Sequence, residues 1–248
     1  VNSKRSPAPA RSWDLPQRRL PDSALDRIIA RQDWARLVPH LLKLSADIEP
    51  TTQRLRDLAR AVLDWNGRVS NLISRNDTNR ILERHVLESI EPAHWLRDSG
   101  ARAWLDFGSG GGFPALPLAI VGVGERWTLI ESRRNKTLFL RKAIQDLKIS
   151  NADVVLDRLE NRVGSSWGLA FDGFTSRATL RLAPTLELAA HFVRPGGSAF
   201  LWKGSRRDEE MGEDMKWRSL WDLEGLLGIG DGQTVVARFT RKSLGVVR

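Results

Sequence analysis

Beyond Arg102, short apolar runs alternate with longer amphipathic ones, and no other feature of the sequence restricts the fold as much. The runs predict strands over 103–107, 127–131, 154–157, 171–176, 198–202 and 234–240. Helices are predicted between the first five, over 114–121, 136–147 and 182–192, with a short one after Glu160. Strands joined by helices cannot pair as hairpins, so the pattern predicts an α/β fold: a Rossmann-like, open, mostly parallel sheet with helices on both faces. Arg194-Pro195-Gly196-Gly197 reads as a turn ahead of the fifth strand. Gly228, Gly230 and Gly232 form another before the last strand, which is expected to return antiparallel.

The first strand runs into Asp106-Phe107-Gly108-Ser109-Gly110-Gly111-Gly112-Phe113-Pro114. Gly108, Gly110 and Gly112, at alternate positions, let the backbone turn sharply and approach a ligand with no Cβ in the way. A dinucleotide loop, G-x-G-x-x-G, needs glycine at its sixth position, where this chain has Phe113. Glu131 ends the second predicted strand 25 residues after Asp106, where a carboxylate can accept both hydroxyls of a ribose.

The 248 residues suit one α/β domain with an extension. Residues 1–22 hold four prolines and predict a flexible basic arm; 23–97 predict a helical region packed on the core; 98–248 carry the sheet. Ser23-Ala24-Leu25-Asp26 reads as a capping box, opening a helix that Pro39 should stop or kink. Pro50-Thr51-Thr52 opens a clearer helix, with Leu55, Leu58, Ala59, Val62 and Leu63 on one stripe. A third helix fits 79–90, with Ile81, Leu82, Val86 and Ile90 inward and His85 on the same face, read as a buried, hydrogen-bonded histidine.

The absence of cysteine removes disulfides, thiolate zinc sites and thiolate nucleophiles together. His40, His85, His94 and His191 are scattered without metal-ligand spacing, so no metal is expected. No apolar run approaches the ~20 residues that cross a bilayer, and the polar start carries no secretory pattern, so a cytoplasmic protein is expected. Basic residues exceed acidic ones, 39 to 30, and 31 of the 39 are arginine. Guanidinium groups fork onto phosphates and stack on bases, although a coding bias toward arginine gives the same excess. The surplus is concentrated: residues 1–45 and 126–148 each carry +5. Arg133, Arg134 and Lys136 follow directly on Glu131, at the mouth of the predicted site.

The G-x-G-x-G loop resembles that of S-adenosylmethionine-dependent methyltransferases of class I. Trp65-Asn66, Asn71-Leu72 and Arg84-His85-Val86-Leu87-Glu88-Ser89 resemble the leader helices of the RsmG (GidB) family, bacterial guanine-N7 methyltransferases of 16S ribosomal RNA. Gly108–Ile120, Ile130-Glu131-Ser132-Arg133-Arg134, Asp157-Arg158-Leu159-Glu160, Thr175-Ser176-Arg177-Ala178, Pro195-Gly196-Gly197 and Lys203-Gly204 continue the likeness in order, over about residues 50 to 204. The resemblance implies that Gly108, Gly110, Gly112 and the backbone near Phe113 hold the methionine end of S-adenosylmethionine, Glu131 the ribose, and Leu159 and Glu160 the adenine. It implies a catalytic Arg177 beside the transferred methyl, holding cofactor or guanine. Arg133, Arg134, Lys136 and Lys203 are expected to meet RNA phosphates, on 16S rRNA alone or in an assembling small-subunit particle. Glu88 stands where the family has Asp, Ala115 where it has Gly, and Leu159 where Ala is frequent.

The implied chemistry suits the residues that are missing. Guanine N7 presents a lone pair and has no proton to lose, so positioning suffices and no general base is required. Pyrimidine C5 methylation needs a cysteine; exocyclic-amine methylation favours Asn-Pro-Pro-aromatic, where this chain reads Asp172-Gly173-Phe174-Thr175-Ser176-Arg177. Asp172 with Lys203 is a partial echo of a ribose 2′-O set. Other methylation targets, and a non-catalytic RNA-binding protein, are the rival readings.

Overall fold

The computed structural model describes residues 22–205, 207–212, 215–230 and 232–243. Apart from Asp22, the expected arm lies outside them. Seven strands are seen among the described residues: β1 (Ala103–Phe107), β2 (Arg126–Glu131), β3 (Ala152–Leu156), β4 (Phe171–Arg177), β5 (Val193–Lys203), β6 (Trp221–Ile229) and β7 (Thr234–Arg241). They form one sheet in the order β3-β2-β1-β4-β5-β7-β6. β1 to β5 pair in parallel. β7 runs antiparallel to both β5 and β6, as the glycine-rich turn suggested.

The helices are α1 (Asp22–Ala30), α2 (Val38–Lys43), α3 (Ile48–Arg68), α4 (Glu88–Ile90), α5 (Ala93–Arg97), α6 (Ala115–Ile120), α7 (Arg134–Asp146), α8 (Leu182–Ala189) and α9 (Arg207–Gly212). Four expectations need correction. Pro39 starts a helix rather than stopping one, because at the second position of α2 its missing N–H has no partner to lose. α1 begins at Asp22, so Ser23 lies inside the helix rather than at its cap, and Asp26 pairs with Arg60 of α3. The third helix is irregular: a 3-10 stretch (Arg75–Arg80), then a π-helical turn (Leu82–Leu87) that runs into α4. β6 has no counterpart in the sequence pattern, since Glu224, Gly225 and Gly228 interrupt its apolar residues and it is a bulged edge strand.

Alternation along the strands builds a core on each face of the sheet. Trp104 joins one cluster, in which Leu55, Leu58, Val62, Leu82 and Val86 of the N-terminal helices pack with Leu116 and Leu140 of α6 and α7. Leu105, its neighbour, faces the other, with Phe174, Leu182, Leu186 and Phe239. The predicted stripe of α3 is therefore part of the sheet's own core. Six tryptophans (Trp34, Trp104, Trp127, Trp202, Trp217, Trp221) are buried and unavailable for stacking on bases. Among the described residues no helix is long and apolar enough to cross a membrane.

Trp104 stacks on Trp127 with centroids 5.1 Å apart and lies over Gly173 of β4. A Cβ on Gly173 would fall 2.3 Å from the indole. Gly173→Ala is therefore expected to lower stability by about 1–3 kcal/mol, as overpacking does. Urea unfolding measures it, and an unchanged midpoint would show that the indole yields freely.

Candidate functional site

β1 has β2 on one side and β4 on the other, so successive connections wind in opposite directions from this pair and leave a crevice at its carboxyl end. The loop after β1 lies there. Gly108 and Ser109 donate their N–H groups to the carbonyl of Ile130 at 3.0 and 3.2 Å, and Gly112 closes a turn on Ser109. All three alternate glycines are left-handed, with φ of 71° at Gly108, 53° at Gly110 and 86° at Gly112. Their reasons differ. A Cβ on Gly108 would lie 2.4 Å from the Thr179 methyl, and one on Gly112 2.5 Å from Leu116. One on Gly110 would meet nothing nearer than 3.7 Å, so this glycine is required by its backbone angle and leaves open space above the loop. Ala115 opens α6 without a left-handed angle, so the replaced glycine is not needed.

Glu131 is buried at the end of β2. Its Oε2 accepts from the N–H of Gly110 at 3.0 Å and its Oε1 from that of Arg133 at 2.8 Å. One carboxylate thus ties the glycine loop to the start of α7, and each oxygen keeps acceptor capacity. A cavity of about 450 Å³ opens here, walled by Gly108, Glu131, Arg133, Lys136, Leu159 and Glu160, and by Asp157 and Ala178-Thr179-Leu180. Leu159 is buried and Glu160 exposed, on a 3-10 turn after β3. Phe113 is buried too, packing on the His85 ring at 5.0 Å.

Within β1, burial pushes the Asp106 carboxyl up to about 6, against the hydrogen bond from Thr175 Oγ1 at 2.7 Å. Its Oδ2 is buried with no hydrogen-bond partner among the described residues. His85 moves the other way, to about 3, because burial and then the neighbouring Arg177 disfavour its charged form. Asp77, at 3.6 Å, opposes the shift, and Nε2 makes no hydrogen bond among the described residues, so this histidine is half-buried rather than buried and is not hydrogen-bonded there as expected.

Arg177 ends β4 and turns toward the N-terminal helices. Its Nη2 is 2.9 Å from Glu88 Oε2 and also donates to the Arg84 carbonyl. Glu88 is 1% exposed; its Oε1 meets Arg84 at 2.7 Å, and its carbonyl accepts from Trp202 Nε1 at 2.8 Å. Arg84 in turn lines a second cavity, of about 500 Å³, with Gly204, Ser205, Gln233 and Thr234. Arg177 therefore sits between the two hollows: Ala178, the next residue, walls the first, and Arg84 the second. The sequence motifs include Glu88 and Arg177 but give no sign that they meet. Arg133 and Arg134 are exposed and Lys136 half-buried, beside Ser70 and Asn71, where another opening lies. Lys203, expected at a phosphate, is only 10% exposed, and its ammonium is paired with Glu210. Among the described residues no group of His, Asp and Glu is gathered as metal ligands.

Sheet order, left-handed loop and strand-end acid define a class I methyltransferase fold with its crevice intact. Similarity agrees and is more specific. The family profile described as GidB, rRNA small subunit methyltransferase G, matches residues 51–223, and the chain belongs to that family. The ribosomal RNA small subunit methyltransferase G of Burkholderia mallei (strain NCTC 10229) is 41% identical over 160 residues, covering 64% of this chain and 69% of that one. Among solved structures, cofactor-bound Rv0187 from MTB superposes with a TM-score of 0.55 at 15% identity, over 77% of this chain and 91% of that one. A branched-chain polyamine synthase mutein from Thermus thermophilus gives 0.54 at 11% identity, over 75% and 64%. At such identities the structural likeness establishes the fold alone, and a polyamine synthase on the same frame shows that fold does not choose the chemistry.

The two shifted groups generate a pH dependence. Asp106 holds its proton more tightly folded than unfolded, so its contribution is present below its ordinary 3.8 and is lost as pH rises through about 6. His85 resists protonation when folded, so its contribution is present above 6.5 and is lost as pH falls toward about 3. In the shared window the slopes oppose. Asp106→Asn removes one of them, so between about pH 4 and 6 the variant's stability should climb with pH more steeply than the wild type's. Urea unfolding across that range reads the difference; parallel curves would mean that Asp106 ionises normally.

Proposed function

We propose that this chain transfers the methyl group of S-adenosylmethionine to N7 of a guanine in 16S ribosomal RNA, in the cytoplasm, on naked RNA or a small-subunit particle. The observation that carries the reading is Glu131, buried at a strand end and hydrogen-bonded to Gly110 over an open cavity. The residues fit the cofactor. Gly110 leaves open space for its methionine end on the tight loop that Gly108 and Gly112 permit, Glu131 has acceptor capacity for ribose hydroxyls, and Leu159 and Glu160 wall the adenine end. The orphaned Oδ2 of Asp106 supplies a buried acceptor below the loop. Bound there, S-adenosylmethionine supplies an electrophilic methyl on a sulfonium centre.

The chain's part is orientation. Arg133, Arg134 and Lys136 draw phosphates toward the crevice, and the helical region 23–97, packed on the catalytic domain 98–248, widens the RNA face. The hollow walled by Arg84, Gly204, Ser205, Gln233 and Thr234 takes the guanine, with Arg177 at the border of the two hollows, beside the line of transfer rather than in it. No side chain need remove a proton, because N7 has none. Purified protein should label small-subunit RNA lacking the modification from radioactive S-adenosylmethionine, and mapping should find N7-methylguanine at one position. Absence of label, or label elsewhere on the base or ribose, refutes the reading.

Arg177→Met should lower turnover at least ~100-fold. It should also cost about 3 kcal/mol in stability, because Glu88 loses a guanidinium partner in a buried place. Arg177→Met with Glu88→Gln should regain most of that stability and none of the turnover. Recovery of activity along with stability would confine Arg177 to a structural role.

A further inference from the structure

Lys203 Nζ pairs with Glu210 at 2.8 Å and donates to the carbonyl of Leu180 at 3.0 Å. The same Glu210 Oε2 accepts from the N–H of Leu182, the first residue of α8, at 2.9 Å. A carboxylate there satisfies an otherwise open amide and faces the positive end of the helix dipole. Glu209 adds an exposed pair with Arg181 at 3.1 Å. Residues 180–182 are thus fastened, one after another, by the end of β5 and by α9.

What is fastened is the connection from β4 to α8. Ala178 has a φ of 54°, unfavourable for a residue with a side chain, so the turn needs support from outside itself. Thr179 shares a hydrogen bond with Ser176, and its methyl occupies the space that a Cβ on Gly108 would need. Ala178, Thr179 and Leu180 wall the cavity that holds Glu131. The path from Lys203 to the cavity is therefore continuous: ion pair, loop, Gly108.

We propose that Lys203 and Glu210 are positioning residues for the methyl-donor cavity. Their ion pair presses the β4–α8 connection against Gly108 and so sets affinity for a sulfonium nucleoside that neither residue touches. This rests on the reading of the cavity given under Proposed function. It removes Lys203 from the RNA-binding set, and the two roles predict opposite results.

The test uses the full chain with Lys203→Met, Glu210→Gln and the double variant. Calorimetry measures affinity for S-adenosylmethionine, a titration across salt measures affinity for a small-subunit RNA fragment, and hydrogen exchange follows the amides of residues 178–182. Each single variant should weaken donor binding about tenfold and speed exchange in that segment, with RNA affinity and its salt slope unchanged. In turnover the effect should fall on KM for the donor rather than on kcat. A phosphate contact would instead make Lys203→Met lose RNA affinity and about one unit of salt slope. Glu210→Gln would then strengthen RNA binding by releasing the ammonium, with donor affinity untouched, and that pattern overturns the proposal. Should a single variant fail to fold around its lone buried charge, the double variant, which has none, carries the same comparison. Absence of donor binding by the wild type would sink the methyltransferase reading, whereas exchange at Leu182 judges the ion pair in either case: unchanged rates overturn it.

Discussion

The buried carboxylate of Glu88 is where separate parts of the molecule are joined. Arg84 holds one oxygen from its own helix and Arg177 the other from the end of β4. Trp202 of β5 bonds its carbonyl, and Thr234 at the start of β7 approaches Oε1 at 3.5 Å. A charge so far from water persists only with compensating donors, and here they come from β4, β7 and the leading helices, while Trp202 secures the backbone of Glu88. The N-terminal segment is consequently fixed to the strand ends by its polar face as well as by its apolar stripe. That fixing brings Arg84 and Arg177 to the edges of neighbouring hollows.

Glu131 does on a smaller scale what Glu88 does for the whole. It joins a glycine loop to the beginning of a helix through two backbone amides, leaving its outer lone pairs toward the cavity. The crevice is thereby held in shape by the residue assigned to meet the ligand. Asp106, buried, and His85, half-buried, are displaced from their ordinary titration ranges in opposite directions, and both shifts arise chiefly from loss of water.

Much of this was legible beforehand, and for identifiable reasons. β1, β2, β4 and β5 announce themselves because a strand inside the sheet, covered on both faces, is a compact apolar run, and β3, though at the edge, shows through Val154 and Val155. The stripe of α3 shows because 3.6-residue periodicity survives over 21 residues. β6 escaped because an edge strand needs few buried residues, and Pro39 misled because proline opens helices as readily as it ends them. At the site, the glycines and Glu131 could be found from spacing alone. The inward turn of Lys203 could not, since its partner Glu210 lies in a segment whose charges balance and which reads as ordinary surface. Pairing between distant side chains leaves no periodic trace.

The antiparallel return of β7 has a consequence for biogenesis. Translation delivers helices first, and the parallel strands follow in an order that lets each find a neighbour already made. Thr234 emerges 146 positions after Glu88, and β7 must then fold back against β5. Until it does, the acidic group with Arg84 and Arg177 lacks its last wall, so a nascent chain halted before the hairpin carries a hydrated centre where the finished molecule has a dry one.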